Sequence, residues 1–307
     1  MPLTSKPPYR VLLLGANGQL GCELASSLKA LGEVKALKRS EADLSNAFAL
    51  RDTLLPIVKD FEPHVIVNAA AYTAVDKAQT EQAKALQVNA QSVGVLAALA
   101  QSANALLVHY STDYVFDGAS DKPWAEDDLT NPLSVYGQSK WLGECAVRQH
   151  CRKHLILRTS WVVGVHGNNF LKTMLRLAAE RDSLRVVVDQ IGVPTSTDLL
   201  AKVTIDLLQT MLSAAKDDAR FGTYHLASSG ETSWHAYAQY VIAGAIQRGA
   251  HLACKPESIA PIPTSAYPLP APRPANSRLS TEKIRRTFGI ELPAWQVGVD
   301  AILDTLI

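Results

Sequence analysis

No stretch of this sequence is apolar for long enough to cross a bilayer; runs such as Val11–Leu14 and Val65–Val67 have only the length of a β-strand. Nor is there an excess of charge of one sign. With 30 Lys and Arg against 29 Asp and Glu, no global field draws the chain to nucleic acid or to an anionic membrane, so an anionic ligand needs a local site. Cysteine is scarce. Cys22, Cys145, Cys151 and Cys254 share no metal-ligand spacing and fall far short of a disulfide scaffold, and they read as reduced side chains of a cytoplasmic protein without a bound metal. The Met1–Pro8 stretch has three prolines and no apolar signal core, and reads as a loose tail.

What is present has the profile of an ordinary globular chain, 47% apolar and 19% charged over 307 residues. Short apolar runs at Arg10–Leu14, Glu33–Leu37, His64–Ala69, Leu106–Ser111 and Leu155–Ser160 read as buried strands. Between them lie helical patterns, among them Leu20, Leu24, Leu28 and Leu31 at helical spacing, Ala47–Lys59, and the Ala-rich Val88–Gln101. Near-continuous apolar strands alternating with helices predict a parallel sheet covered on both faces, a doubly wound α/β domain. After about residue 165 the rhythm changes. Helices are expected at Phe170–Glu180, Leu199–Leu212 and Trp234–Arg248, strands at Leu184–Val188 and Gly222–Ala227, and an irregular segment at Pro261–Pro274. The expected organisation is a cofactor domain over residues 1–165 and a smaller α/β substrate-binding domain over 166–307, with strand or helix exchange between them.

The first strand runs into Gly15-Ala16-Asn17-Gly18-Gln19-Leu20-Gly21, which opens a helix. In this G-x-x-G-x-x-G pattern the first glycine permits the tight turn, the second lets backbone approach a pyrophosphate, and the third lets helix and strand pack closely. Unpaired N–H groups at the helix start then meet the phosphate charge. Three glycines in seven residues are also compatible with a plain turn; the position between strand and helix favours dinucleotide binding and a Rossmann-type sheet. At the end of the second strand an acidic residue would suit NAD and a basic one NADP. Lys38-Arg39-Ser40 stands there, which favours NADPH, with NADH as the alternative donor. Asp43, just beyond, suits either the adenine edge or a helix N-cap.

Tyr136 and Lys140 are four residues apart at the start of a helix and share one face. An ammonium beside a phenol favours the phenolate, so the pair predicts a tyrosine with a lowered pKa acting as general acid. The strand before it ends in Ser111-Thr112-Asp113, which puts the Thr112 hydroxyl at the carboxyl edge of the sheet, where open α/β sheets bind ligands.

Together with the glycine loop, the blocks Asn68-Ala69-Ala70-Ala71-Tyr72-Thr73-Ala74-Val75-Asp76, Ser111–Gly118 and Tyr136–Lys140 resemble the extended short-chain dehydrogenases and, more narrowly, their dTDP-4-dehydrorhamnose reductase family. The narrower resemblance continues through Arg158–Trp161, Gly167–Phe170, Asp189–Thr195 and Arg273–Ser277. It implies reduction of dTDP-4-dehydro-β-L-rhamnose to dTDP-L-rhamnose. By position, Tyr136 would donate the proton, Lys140 would bond the nicotinamide ribose, and Thr112 would orient the sugar ketone. Gly18, Gln19 and Leu20, with Ala71, Tyr72 and Thr73, would line the cofactor, while Asp113 and Trp161 would contact the sugar. Some members bind magnesium between subunits through glutamates. Here Glu23 matches one position but Asp198 replaces a second, so the expectation is no metal, and a monomer or weak homodimer. Two other functions stay open: a different nucleotide-sugar reductase or epimerase of the same fold, and a regulatory homologue that binds cofactor without catalysis.

Overall fold

In the computed structural model, which describes residues 9–307, the apolar runs of the first half pair side by side in parallel. The strands are β1 (Tyr9–Leu14), β2 (Gly32–Leu37), β3 (Val65–Asn68), β4 (Leu106–Thr112), β5 (His154–Thr159) and β6 (Gly222–His225), in the spatial order β6-β5-β4-β3-β1-β2. This is the Rossmann-type doubly wound sheet. The Met1–Pro8 tail lies outside the described residues. Every residue of β3 and β4 is buried, as expected of central strands covered on both faces.

Alternation along each strand divides the core in two. Leu13, Val67, Val108 and Leu157 point to the face packed by α1 (Gln19–Ser27). Leu12, Ile66, Leu107 and Ile156 point to the other, against α2 (Ala47–Phe61), α3 (Ser92–Ser102) and α4 (Val135–His150). Each such aliphatic side chain contributes about 1.5–3 kcal/mol when fully buried. The strand predicted to end at Ser111 runs one residue further, so Thr112 is its last member and faces Thr159 of β5. The helix predicted over 88–101 begins at Gln82 and carries a π-turn at Gln87–Gln91 before α3.

Beyond residue 165 the chain supplies α5 (Phe170–Glu180), α6 (Thr197–Met211), α7 (Trp234–Gln247) and α8 (Trp295–Leu306). Of these, α6 joins α1 on the first face of the sheet, and β6 extends the sheet next to β5. A third core, with Leu171, Met174, Tyr237, Val241, Trp295 and Val299, holds α5, α7 and α8 together. The proline-rich stretch is more ordered than its composition predicts: Ile259–Ile262 pairs in parallel with Leu184–Val187, with Pro261 opposite Val186. Proline is tolerated there because this two-stranded pair leaves an edge on which its missing N–H breaks no ladder bond. Among the described residues no helix is long and apolar enough to cross a membrane.

Candidate active site

The glycine loop closes over its own helix. Gly15 has φ +80°, and a Cβ there would lie 2.7 Å from the backbone N of Ala70. A Cβ on Gly21 would fall onto the Gly15 carbonyl oxygen. Only glycine lets α1 start this close to β1 and β3. Side chains cap α2, α4, α5, α6 and α7, through Asn46, Ser134, Asn169, Ser196 and Ser233 respectively. Helix α1, which follows Gly18, has no side-chain cap, so its first N–H groups are left for an anion. That is the arrangement a dinucleotide pyrophosphate fits. Gln19 is occupied elsewhere: its amide donates to Val162 O (3.2 Å) and accepts from Asn169 (2.7 Å), tying the loop to the segment after β5. Leu20 packs into the core beneath α1. Both side chains are therefore engaged within the protein.

At the end of β2 the Lys38 N–H donates to Glu41 (2.9 Å), and exposed Arg39 pairs with Asp43 at 3.4 Å. Asp43 also accepts from the Ser45 N–H (3.0 Å), whereas Asn46 caps α2. The two cations and Asp43 are thus neighbours on one turn.

Ala71, Tyr72 and Thr73 follow β3 in a loop held by a residue the sequence did not single out. Asn89, buried in the π-turn, accepts from the Tyr72 N–H (2.8 Å) and donates to Tyr72 O (3.0 Å) and to the Ser139 hydroxyl (2.9 Å). Ser139 in turn donates to Tyr136 O (2.7 Å). The extra residue of a π-turn re-aims one side chain, and such turns concentrate at functional sites. An asparagine within an Ala-rich helix was the available signal, but the π-turn that aims it leaves no mark in the sequence.

Ser134 caps α4 through the Gly137 N–H (3.1 Å), which puts Tyr136 in the first turn and Lys140 one turn on. Lys140 is buried and donates to Tyr110 O at 2.5 Å. Burial pulls its ammonium down to about 8, with Glu144 working against the fall. The predicted lowering of the Tyr136 phenol is not what the chain alone produces. Burial around its hydroxyl pushes it up to about 12, with the charge of Asp113 adding to the rise, and the lysine is turned to a carbonyl. The Tyr136 ring meets Tyr114 edge-on at 5.5 Å.

Thr112 donates to Asp113 Oδ1 (3.0 Å) and accepts from the Tyr114 N–H (3.2 Å). Asp113 is buried, and desolvation raises its carboxyl to about 6 against the pull of the nearby Ser277 and Thr112 hydroxyls. Its Oδ2 has no partner. Trp161, just after β5, takes a left-handed backbone (φ +45°) and stacks on Trp234 with ring centroids 3.5 Å apart. A Cβ on Gly192 would lie 2.6 Å from the Trp161 indole, so the ring is held from two sides. Below the site, Glu144 takes two bonds of 2.8 Å from buried Arg158 and one of 3.1 Å from Arg148. Neither Trp234 nor Glu144 was apparent as a site neighbour from sequence. Among the described residues no group of three His, Cys, Asp or Glu side chains is placed to hold a metal ion.

Thr112, Asp113, Tyr136 and Lys140 thus gather beside the ends of β4 and β5, while Lys38, Arg39 and Asp43 stand at the far end of the sheet on the turn after β2. Comparison with known proteins gives the family. The family model described as RmlD substrate binding domain matches residues 9–307. A dTDP-4-dehydrorhamnose reductase of Burkholderia thailandensis is 49% identical over 97% of this chain and 99% of its own. One from Escherichia coli strain K12 is 47% identical over 96% and 97%. The crystal structure of dTDP-4-dehydrorhamnose reductase from Bacillus anthracis in complex with NADP superposes with a TM-score of 0.87 at 32% identity, covering 97% of this chain and 99% of that one.

Proposed function

The chain belongs to the RmlD substrate binding domain family, and from that membership we infer an NADPH-dependent dTDP-4-dehydrorhamnose reductase. The reaction adds a hydride to the sugar ketone carbon and a proton to its oxygen, converting dTDP-4-dehydro-β-L-rhamnose to dTDP-L-rhamnose. When bound, NADPH supplies the hydride.

Tyr136 is assigned as the proton donor, Lys140 as the group that bonds the nicotinamide ribose, and Thr112 as the hydroxyl that orients the sugar ketone. The observation that carries this assignment is the packing of α4, which bears Tyr136 and buried Lys140, against the end of β4 that bears Thr112, with Lys140 bonded to Tyr110 O and Asn89 and Ser139 tying the helix to the 71–73 loop. A phenol held above its ordinary pKa stays protonated at neutral pH and so remains loaded. Once the ribose draws the Lys140 ammonium off Tyr110 O, its charge stabilises the phenolate left behind. The uncapped start of α1, with Gly15, Gly18 and Gly21, would hold the pyrophosphate. Lys38 and Arg39 would meet the extra phosphate of NADPH, Arg39 exchanging Asp43 for it. Trp161 would offer an apolar indole face to the sugar, and Asp113 an acceptor for a sugar hydroxyl. Four free cysteines suit a reducing compartment, and we place the reaction in the cytoplasm.

The test is oxidation of NADPH, followed by loss of its near-ultraviolet absorbance, with enzymatically generated dTDP-4-dehydrorhamnose and with NADH in parallel. Rapid NADPH consumption with dTDP-L-rhamnose as product is expected, slower with NADH. No oxidation by folded protein that binds NADPH would overturn the assignment.

A further inference from the structure

We propose that Asp76 and Arg273 are positioning residues whose ion pair ties the cofactor loop to the sugar platform, so that NADPH and the nucleotide sugar each strengthen the binding of the other. This rests on the proposed function, in which the 71–73 loop lines NADPH and Trp161 meets the sugar.

The pair joins segments that the sequence keeps far apart. Asp76 lies in the first turn of the short helix Val75–Ala78, just after the 71–73 loop. One distant segment takes both oxygens of its carboxylate. Oδ1 accepts from the Ala271 N–H (3.2 Å) and Oδ2 from Arg273 Nη2 (2.8 Å), across 195 and 197 residues. Arg273 Nη1 also donates to Ala271 O (3.3 Å), which folds the guanidinium back along its own backbone and fixes its direction. With the Arg273 side chain 15% exposed and that of Asp76 37%, solvent and salt screen this pair less than an open surface pair.

What Asp76 holds is stiff. Pro272 and Pro274 flank Arg273 and fix φ on either side of it. Pro274 lies against Gly118 on the loop after β4; a Cβ on that glycine, whose φ is +75°, would come within 2.6 Å of the proline Cβ. The Asn276 N–H donates to Gly118 O (3.2 Å), and the Asn276 side chain donates to the carbonyls of Ser120 (2.9 Å) and Lys122 (2.7 Å). Beside these bonds Ala275 O accepts from the Ile191 N–H (2.8 Å), and the Ser277 N–H donates to Ile191 O (2.7 Å). Ile191 precedes Gly192, against which the Trp161 indole is held. From Asp76 through Arg273, Ala275 and Ile191 to Gly192, every step is a covalent chain or a hydrogen bond.

A strap of this kind carries order from one site to the other. A ligand that quiets the 71–76 segment also quiets 271–277, and the second ligand then loses less freedom when it binds. Breaking the pair leaves the residues of each site in place but lets the two segments fluctuate independently. Such coupling is reciprocal: the factor by which NADPH tightens the sugar equals the factor by which the sugar tightens NADPH.

The test uses NADPH with dTDP-L-rhamnose, which occupy the protein together without turnover because both are already reduced. By titration calorimetry, NADPH should tighten dTDP-L-rhamnose roughly fivefold or more in wild-type protein, and dTDP-L-rhamnose should tighten NADPH by the same factor. In Asp76→Asn and in Arg273→Met that factor should fall below about twofold, while Arg273→Lys, which keeps the charge, should stay above it. Hydrogen exchange gives a readout without the sugar. NADPH alone should slow exchange of the amides in 271–278 in wild-type protein and leave them unchanged in Asp76→Asn. A factor near one in wild-type protein overturns the proposal. So does a factor that survives in Asp76→Asn while the melting temperature falls, since the pair would then be a structural staple only. Wild-type protein that binds NADPH but neither binds dTDP-L-rhamnose nor reduces the ketosugar would instead overturn the assigned function.

Discussion

Tyr136 is both the most legible residue of the site and the one whose state the sequence misjudged. Its spacing to Lys140 is local, so the shared helix face could be read directly. The direction of its pKa could not, because burial around the hydroxyl comes from β4 and the turn after it, and burial wins in the chain alone. Its role makes a sharp prediction. Tyr136→Phe removes the transferable proton and leaves the ring in place, so NADPH binding by fluorescence titration should be unchanged. Turnover should fall by about 10²–10⁴-fold. Asn89 is the opposite case. Its bonds to Tyr72 and Ser139 cross 17 and 50 residues of sequence, and nothing local announces them.

Among the elements, the β1–loop–α1 unit was legible because each of its parts is a neighbour in sequence: an apolar run, glycines at fixed spacing, then leucines at helical spacing. The structure adds how little tolerance that unit has. Gly21→Ala would drive its methyl onto the Gly15 carbonyl oxygen, so α1 must back away from β1 and carry its N–H groups off the phosphate site. NADPH affinity should drop by roughly tenfold or more while the circular dichroism of the fold persists, since the loss is of close approach and not of helix. An affinity within twofold of wild type would show that the loop is not the phosphate cradle. The strand Ile259–Ile262 was illegible for a matching reason. Its proline argues against a strand, and only the position beside Leu184–Val187, about 75 residues away, makes it one.

At the scale of the whole molecule, the two halves meet around Trp161. The indole comes from the end of β5, while Trp234 and Gly192, which hold it, belong to the second half. A left-handed backbone at a non-glycine residue costs of order 1–3 kcal/mol and persists only where its surroundings enforce it. Trp234→Leu removes the stacked ring and should let Trp161 relax. The Michaelis constant for the nucleotide sugar should rise several-fold, that for NADPH should stay put, and the exciton signal of the tryptophan pair should vanish from the near-ultraviolet circular dichroism. Equal changes in both Michaelis constants would mean general loosening and not a lost sugar platform.

The sequence by itself determined the class of sheet, the glycine loop, the basic turn at Lys38–Arg39 and the Tyr136–Lys140 pair. Hydrophobic period, turn chemistry and short motif spacing are properties of neighbouring residues, and they survive without a fold. The tertiary structure alone decided that Asn89 and Ser139 tie the 71–73 loop to α4, that Trp234 backs Trp161, and that Arg273 reaches Asp76 from 197 residues away. It also decided that burial raises the Tyr136 phenol and the Asp113 carboxyl. Those outcomes depend on burial and on partners brought together from distant segments, and neither exists until the sheet and its helices have closed around them.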